Sequence, residues 1–257
     1  MRSQFERETP ATHVHEASPD SEISAPGAHT SVPGRRKFLQ RAMGGTVGAL
    51  VSSAALEFLA PASASAQTTL TPEMALAELL RGNKRFVDEK LISFRQNLSI
   101  IRNHTSEKQQ PFAAVLACAD SRVPVELIFD QTIGQIFVTR NAGNVASSEI
   151  IASLEYGAAV LGAKVILVMG HESCGAVDAA LAGSEVPGQI SALFPHIRPA
   201  IDLAGPEREA VAKANARIQA ALLREASTAI STLVKDSKLL VIPAFYNIAS
   251  GIVLLLE

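Results

Sequence analysis

The sequence predicts an α/β fold: a mostly parallel β-sheet with an antiparallel edge strand, flanked by helices. Three observations predict it. Residues 112–117, 165–169 and 239–246 are short apolar runs, the pattern of strands covered on both faces. Segments with helical periodicity separate them, as right-handed crossovers between parallel strands require. A last apolar stretch, 252–256, follows 239–246 across a turn at 247–251, which makes it a hairpin partner at the sheet edge.

At 257 residues, 47% hydrophobic and with a formal net charge of −2, the chain has ample material for a buried core. Near-neutral charge, with no basic stripe interleaved with aromatics, leaves no electrostatic footprint for nucleic acid, and nucleic-acid partners are discounted.

Residues 1–33 are polar and rich in Ser, Pro, Thr and His, the composition of a disordered leader. Gly34-Arg35-Arg36-Lys37-Phe38-Leu39-Gln40 follows, then an apolar, Gly- and Ala-rich stretch over 42–60 and a small-residue exit at Ala64-Ser65-Ala66. A charged region, an apolar region and an A-x-A site in that order predict an export signal, to be set apart from the fold. The paired arginines before Phe38-Leu39 resemble a twin-arginine signal, with Gly34 where Ser or Thr is usual and Gln40 where Lys is usual. The expectation is a leader and signal over 1–66, cleaved near Ala66, with export by the twin-arginine machinery to the periplasm or beyond. One domain, 67–257, remains. The alternative is an uncleaved membrane anchor at 42–60, just long enough to span; Glu57 and the glycines count against it.

Thr71-Pro72-Glu73 starts a helix with a capping residue, proline in the first turn and an early acid. Leu76, Leu79, Leu80 and Phe86 form its apolar stripe. Residues 102–110 read as a helix end or loop, closed by Pro111. After the strand at 112–117, Val123-Pro124 opens a short helix through Asp130. A second strand covers 136–139 and leads into a loop at 140–144. Ser147 caps a helix carrying Ile150, Ile151, Leu154, Ala158 and Leu161, and Gly162 ends it. The strand at 165–169 follows, then helices from Gly175 to Gly183, over 190–203 and over 207–234.

The chemistry sits in two short loops. The chain has two cysteines, Cys118 in Cys118-Ala119-Asp120-Ser121-Arg122 and Cys174 in His171-Glu172-Ser173-Cys174-Gly175. Each pentad follows an apolar run, so both emerge at the carboxyl ends of neighbouring strands, where open α/β sheets keep their sites. In an exported protein an even cysteine count invites a disulfide. The zinc reading is favoured over it. His171 stands three positions before Cys174 at metal-ligand spacing, and both cysteines have charged or imidazole neighbours that a lone bridge would not require. Two thiolates and one imidazole form a tetrahedral set with one place open, the catalytic zinc pattern.

Asp120 and Arg122 are close enough in sequence to pair, which keeps the carboxylate ionised and fixes its direction. An ionised carboxylate beside a zinc-bound hydroxide can only accept its hydrogen, leaving an oxygen lone pair aimed at substrate. The competing reading of D-x-R is a surface ion pair.

Cys-x-Asp-x-Arg followed by His-x-x-Cys-Gly resembles the β-class carbonic anhydrases, and the similarity runs from about Thr71 to the final strand. The resemblance implies one Zn2+ per chain on Cys118, His171 and Cys174, an Asp120–Arg122 catalytic dyad, and reversible hydration of carbon dioxide to bicarbonate and a proton. A homodimer or higher homo-oligomer is also implied. Gln109, Phe137 and Tyr156 match the accessible-site subclass, where the Gln contacts substrate and the aromatics form a narrow apolar pocket, some of them across the dimer interface. From the residues alone, Phe137 and Tyr156 read as ordinary core. Arg140 coincides with the family's loop arginine, its role open. The turn from Gly170 to Ala176 offers an anion cradle at a helix start. Glu172 and Ser173 read as solvent or cap residues, and His104 and His196 as surface histidines. Two other functions stand beside this one: a carbonyl sulfide or carbon disulfide hydrolase on the same site, and a noncatalytic zinc-stabilised binding protein with a closed metal site.

Overall fold

The computed structural model describes residues 68–93, 108–183 and 186–257. The expectations for 1–66, and His104, lie outside the described residues. Thr71 takes an extended conformation and its Oγ1 accepts from Met74 N at 3.2 Å, so α1 (Pro72–Val87) starts at its cap with Pro72 in the first turn. In chain order there follow β1 (Ala113–Cys118), α2 (Val125–Ile128), β2 (Ile136–Asn141), α3 (Ser148–Glu155), β3 (Val165–His171), α4 (Gly175–Ala182), α5 (Phe194–Ala204), α6 (Arg208–Ala226), α7 (Thr228–Lys235), β4 (Leu240–Tyr246) and β5 (Val253–Leu255).

The sheet order is β2-β1-β3-β4-β5. Its first four strands are parallel and β5 runs antiparallel to β4 at the edge. Every residue of β1 and β3 is buried, the consequence of helices on both faces. Side chains alternate with the period of two. Val115, Ala117, Leu167 and Met169 pack with Ala75, Leu79 and Ile128 on one face. Leu116, Ile166 and Val168 pack with Leu154, Ala220, Leu223 and Ile230 on the other. Beyond the carboxyl ends a third cluster gathers Cys118, Cys174, Val145, Val177, Ile197, Val211 and Phe245. Among the described residues, no helix is long and apolar enough to cross a membrane.

Four elements differ from the sequence expectation, each for a local reason. β2 continues through Arg140 and Asn141, because Asn141 stays in register with Cys118 and its carbonyl accepts from Ala119 N at 2.9 Å. The helix expected over 207–234 breaks at Ser227, which turns extended and caps α7 by accepting from Ile230 N at 3.0 Å. The helix expected over 190–203 begins as a 3₁₀ turn, Ile190–Leu193, before α5. Ser147 holds the N-cap position of α3, but its hydroxyl donates to Glu149 Oε2 at 3.0 Å instead of capping. α3 runs on as a π turn, Tyr156–Val160, and the chain leaves it at Gly162 with φ 82°.

Two close approaches set the positions of helices. A Cβ on Gly82 would lie 1.7 Å from the Phe129 carbonyl oxygen, so only glycine lets α1 lie against the residue that ends α2. A Cβ on Gly170 would lie 2.8 Å from the Ala212 carbonyl oxygen, which lets α6 press against β3 one residue before His171.

Candidate metal centre and active site

Three donor side chains converge at the carboxyl ends of β1 and β3. Cys118 is the last residue of β1 and His171 the last of β3, and the parallel register Ala117↔Met169 sets the two ends side by side. Ser173 then takes a left-handed conformation, φ 52°, and the reversal returns Cys174 to the cluster as the N-cap of α4. The donor atoms of Cys118, His171 and Cys174 all lie within 4.8 Å of one another, and all three residues are buried.

The sulfurs are 3.9 Å apart and both cysteines are free. A disulfide needs about 2.05 Å, whereas two ligands about 2.3 Å from one tetrahedral zinc stand about 3.8 Å apart. His171 supplies the second test. Its Nδ1 lies 2.8 Å from the Glu172 carbonyl oxygen, which can only accept, so Nδ1 carries the proton and Nε2 the lone pair. That Nε2 is buried without a partner. An acceptor orphaned between two sulfurs fits a tetrahedral cation and is costly otherwise.

Electrostatics agree with this chemistry. The hydrogen bond with Cys174 holds the Cys118 thiol far below its ordinary range; burial opposes this, while His171 and the Gly143 N–H assist. The same contact, with burial, pushes Cys174 up. Cys118 also accepts from backbone, from Gly143 N at 3.3 Å, and the Val177 and Ala176 N–H groups at the start of α4 act to lower Cys174. Gly143 carries no signal of this role in the sequence, because Asn141-Ala142-Gly143-Asn144 reads only as a turn.

Asp120 and Arg122 pair in the fork geometry: Nε to Oδ1 at 3.0 Å and Nη2 to Oδ2 at 2.8 Å, with the Arg122 N–H on Oδ1 at 2.9 Å. The Arg122 side chain holds the Asp120 carboxyl well below the usual carboxylate range, against burial. Arg122 also reaches Ser173 O at 3.0 Å, joining the two loops. Asp120 Oδ2 is 3.9 Å from His171 Nε2, so the pair stands against the cluster, although Arg122 itself is half exposed. Arg140 donates to Cys118 O at 2.9 Å and to Asp120 O at 2.6 Å, which makes it a clamp on the backbone either side of Ala119. Glu172 ties its loop to the final turn, accepting from Ala249 N at 3.2 Å. His196 is exposed.

The three remaining candidates are not gathered at this cluster within one chain. Gln109 is exposed and precedes β1, at the end away from Cys118. Phe137 lies four residues before Asn141, the register partner of Cys118, or about 13 Å back along the strand. Tyr156 packs on Phe137 with ring centroids 6.3 Å apart and is 47% exposed.

The family model described as "Carbonic anhydrase" matches residues 113–253. The chain is 34% identical over 190 residues to carbonic anhydrase 2 of Mycobacterium tuberculosis, covering 70% of this chain and 90% of that protein. It is 35% identical over 188 residues to a carbonic anhydrase of Mycolicibacterium smegmatis, covering 70% and 91%. Among solved structures, a Coccomyxa β-carbonic anhydrase in complex with acetazolamide is 28% identical, covers 70% of this chain and 86% of its own, and superposes with a TM-score of 0.55. A tetrameric β-carbonic anhydrase of Sordaria macrospora, 22% identical with a TM-score of 0.57 over 71% and 96%, shares the fold. A matched span holding both pentads, and relatives covered over nine-tenths of their length, leave one assignment: this chain belongs to the β-class carbonic anhydrases.

Proposed function

We propose that the chain catalyses reversible hydration of carbon dioxide to bicarbonate and a proton, with one zinc ion held by Cys118, His171 and Cys174. The observation that carries this reading is the orphaned, buried Nε2 of His171 beside two sulfurs at tetrahedral spacing, with an Arg-held carboxylate against them. Zinc, when bound, is a Lewis acid that makes water a nucleophile near neutral pH.

The chain's own residues supply direction. Asp120, ionised and with both oxygens already engaged by Arg122, can only accept the hydrogen of the attacking oxygen, so that oxygen's lone pair faces the carbon of CO2. Arg122, anchored on Ser173 O, holds Asp120 by both oxygens, so that with three protein ligands the fourth place on a bound zinc would be left to water. The Gly143, Ala176 and Val177 N–H groups draw charge from the sulfurs, which offsets the donation of two thiolates.

Gln109, Phe137 and Tyr156 serve the site in this reading from a second copy of the chain, in a homodimer or larger assembly. The exposure of Tyr156 and Val160, 47% and 58%, supports a covered face, and an apolar pocket suits an uncharged substrate. Export by the twin-arginine route, with cleavage near Ala66, would load the metal in the reducing cytoplasm before the thiols meet oxidant. Changing Arg35 and Arg36 to Lys should then strand unprocessed protein inside the cell; processed periplasmic protein at the wild-type level refutes the route. The catalytic proposal is tested by stopped-flow CO2 hydration on the purified chain, with zinc content measured beside it and carbonyl sulfide run as competing substrate. Zinc-loaded protein without hydration activity overturns it.

A further inference from the structure

α6 carries two polar side chains where a helix packed on a sheet is expected to bury carbon. Asn215 is 0% exposed and Gln219 1%, in a helix whose other buried residues are Val211, Ala212, Ala214, Ala216, Ala220 and Leu223. Burying two amides is unfavourable unless each polar atom is satisfied. Here each one is. Asn215 Nδ2 donates to Gly143 O at 2.8 Å, and its Oδ1 accepts from Gln219 Nε2 at 3.1 Å. Gln219 Nε2 also donates to His196 O at 3.1 Å, and its Oε1 accepts from Ala146 N at 2.9 Å. The two amides therefore grip the loop after β2 at both ends, Gly143 and Ala146.

That loop donates to a candidate metal ligand. Gly143 N–H points at Cys118 Sγ, 3.3 Å away. Gly143 has φ +80°, and a Cβ there would sit 3.0 Å from Ile197 Cδ1 and 3.3 Å from Ala176 Cβ. The peptide that follows Gly143 is held on both sides, its carbonyl by Asn215 and the Asn144 N–H by Asn141 O at 3.3 Å. Glycine is the softest hinge the backbone has. Within the loop Asn141 brackets Val145, donating from Nδ2 to its carbonyl at 2.7 Å and accepting from its N–H at 2.8 Å, and the grip that reaches the Gly143 carbonyl itself comes from α6.

We propose that Asn215 and Gln219 are positioning residues for the metal centre: by clamping Gly143 and Ala146 from α6 they hold the Gly143 N–H on the Cys118 sulfur and so tune how strongly that sulfur donates to the metal. The inference rests on the zinc reading of the cluster. α6 is suited to the role because it also presses on Gly170, one residue before His171, so one helix indexes two of the three ligands. Polar partners one step beyond the ligands set metal affinity by about 10- to 100-fold in other sites.

The test substitutes Co(II) and reads the thiolate-to-cobalt charge-transfer band and the competition with a chelator, neither of which needs turnover. Asn215→Leu keeps the side-chain size and removes the donor to the Gly143 carbonyl; Gln219→Met removes the acceptor of the Ala146 N–H. Leu223→Ala, on the same helix but in the core, is the control for general loosening. The expected result is a charge-transfer band moved to lower energy and a metal dissociation constant raised about 10-fold in both amide variants, with the control's band unmoved. Each variant is judged by its own spectrum, so Gln219→Met carries the test if Asn215→Leu is not recovered folded. A wild-type protein that takes up no Co(II) on its thiolates overturns the zinc reading and this inference together. A normal wild-type band with folded amide variants indistinguishable from the control overturns this inference alone.

Discussion

Asp120 Oδ2 lies 3.9 Å from His171 Nε2, and the same carboxylate is gripped by Arg122 through both oxygens. A group held this way is an ionised acceptor at the edge of the cluster, and not one of its ligands. Replacing it by Asn215's chemical type, an amide, swaps an obligate acceptor for a group with donors. Asp120→Asn should retain its full metal content while hydration falls by about 100-fold or more, the usual size of a lost acid–base partner. Metal analysis and stopped-flow rates on one preparation check both halves; an unchanged rate removes the dyad from the mechanism.

Metal removal should act on the sulfurs first. With 3.9 Å between them and the Cys118 thiol held far down by Cys174, the cluster without a cation is a reactive thiolate beside a second thiol. Chelation should abolish hydration, lower the melting temperature, and make both cysteines open to alkylation or to mutual oxidation in air. Thiol titration and mass spectrometry before and after zinc is restored read this directly. Cysteines equally unreactive with and without chelator would mean that no metal guards them.

The sequence shows the strands and the ligands for physical reasons, and hides the supports for others. β1 and β3 announce themselves because strands covered on both faces must be continuously apolar, and Cys118, His171 and Cys174 because scarce residue types stand where such runs end. Asn215 and Gln219 give no such signal: polar residues one helical turn apart read as a solvated face, and only the packing of α6 shows that they are buried. The break at Ser227 is hidden for lack of Gly or Pro, since its cause is a cap formed by a residue that reads equally well as helix interior. Arg140 reads as loop because its strand pairing is with Ala117, on another element of the sequence. Phe137 and Tyr156 are legible as a pair only through the family, because their separation from the cluster in one chain is a matter of register.

Self-association should respond to the exposed aromatic pair. Tyr156 is 47% exposed against Phe137, with Val160 58% exposed one turn on, an apolar surface that a partner copy would cover. Tyr156→Glu places a charge there. Sedimentation should show a shift toward the monomer, with hydration falling in proportion; an assembly unaffected by the charge would put the interface elsewhere.

At the opposite end of the sheet Asp130 offers a pH test independent of the metal. Its carboxylate has no exposed surface and accepts from Arg85 Nε at 2.5 Å, Ser93 Oγ at 2.6 Å, Ser93 N at 2.9 Å and Ile92 N at 3.1 Å. Burial alone would push its pKa up; the bonds from Arg85, Ser93 and Ile92 outweigh it, so the folded value lies below the ordinary one. A depressed folded pKa means stability that is fully present above the unfolded value of about 3.9 and lost as pH falls through the folded value. Asp130→Asn leaves Arg85 without its partner and should cost about 3 kcal/mol at pH 7, the lower end for breaking a buried pair. As pH falls below the unfolded value of about 3.9 and through the folded one, the wild type loses this contribution, so the two denaturation midpoints should draw together. Midpoints that stay equally far apart as the pH falls through the acid range would show that Asp130 acts through packing rather than charge.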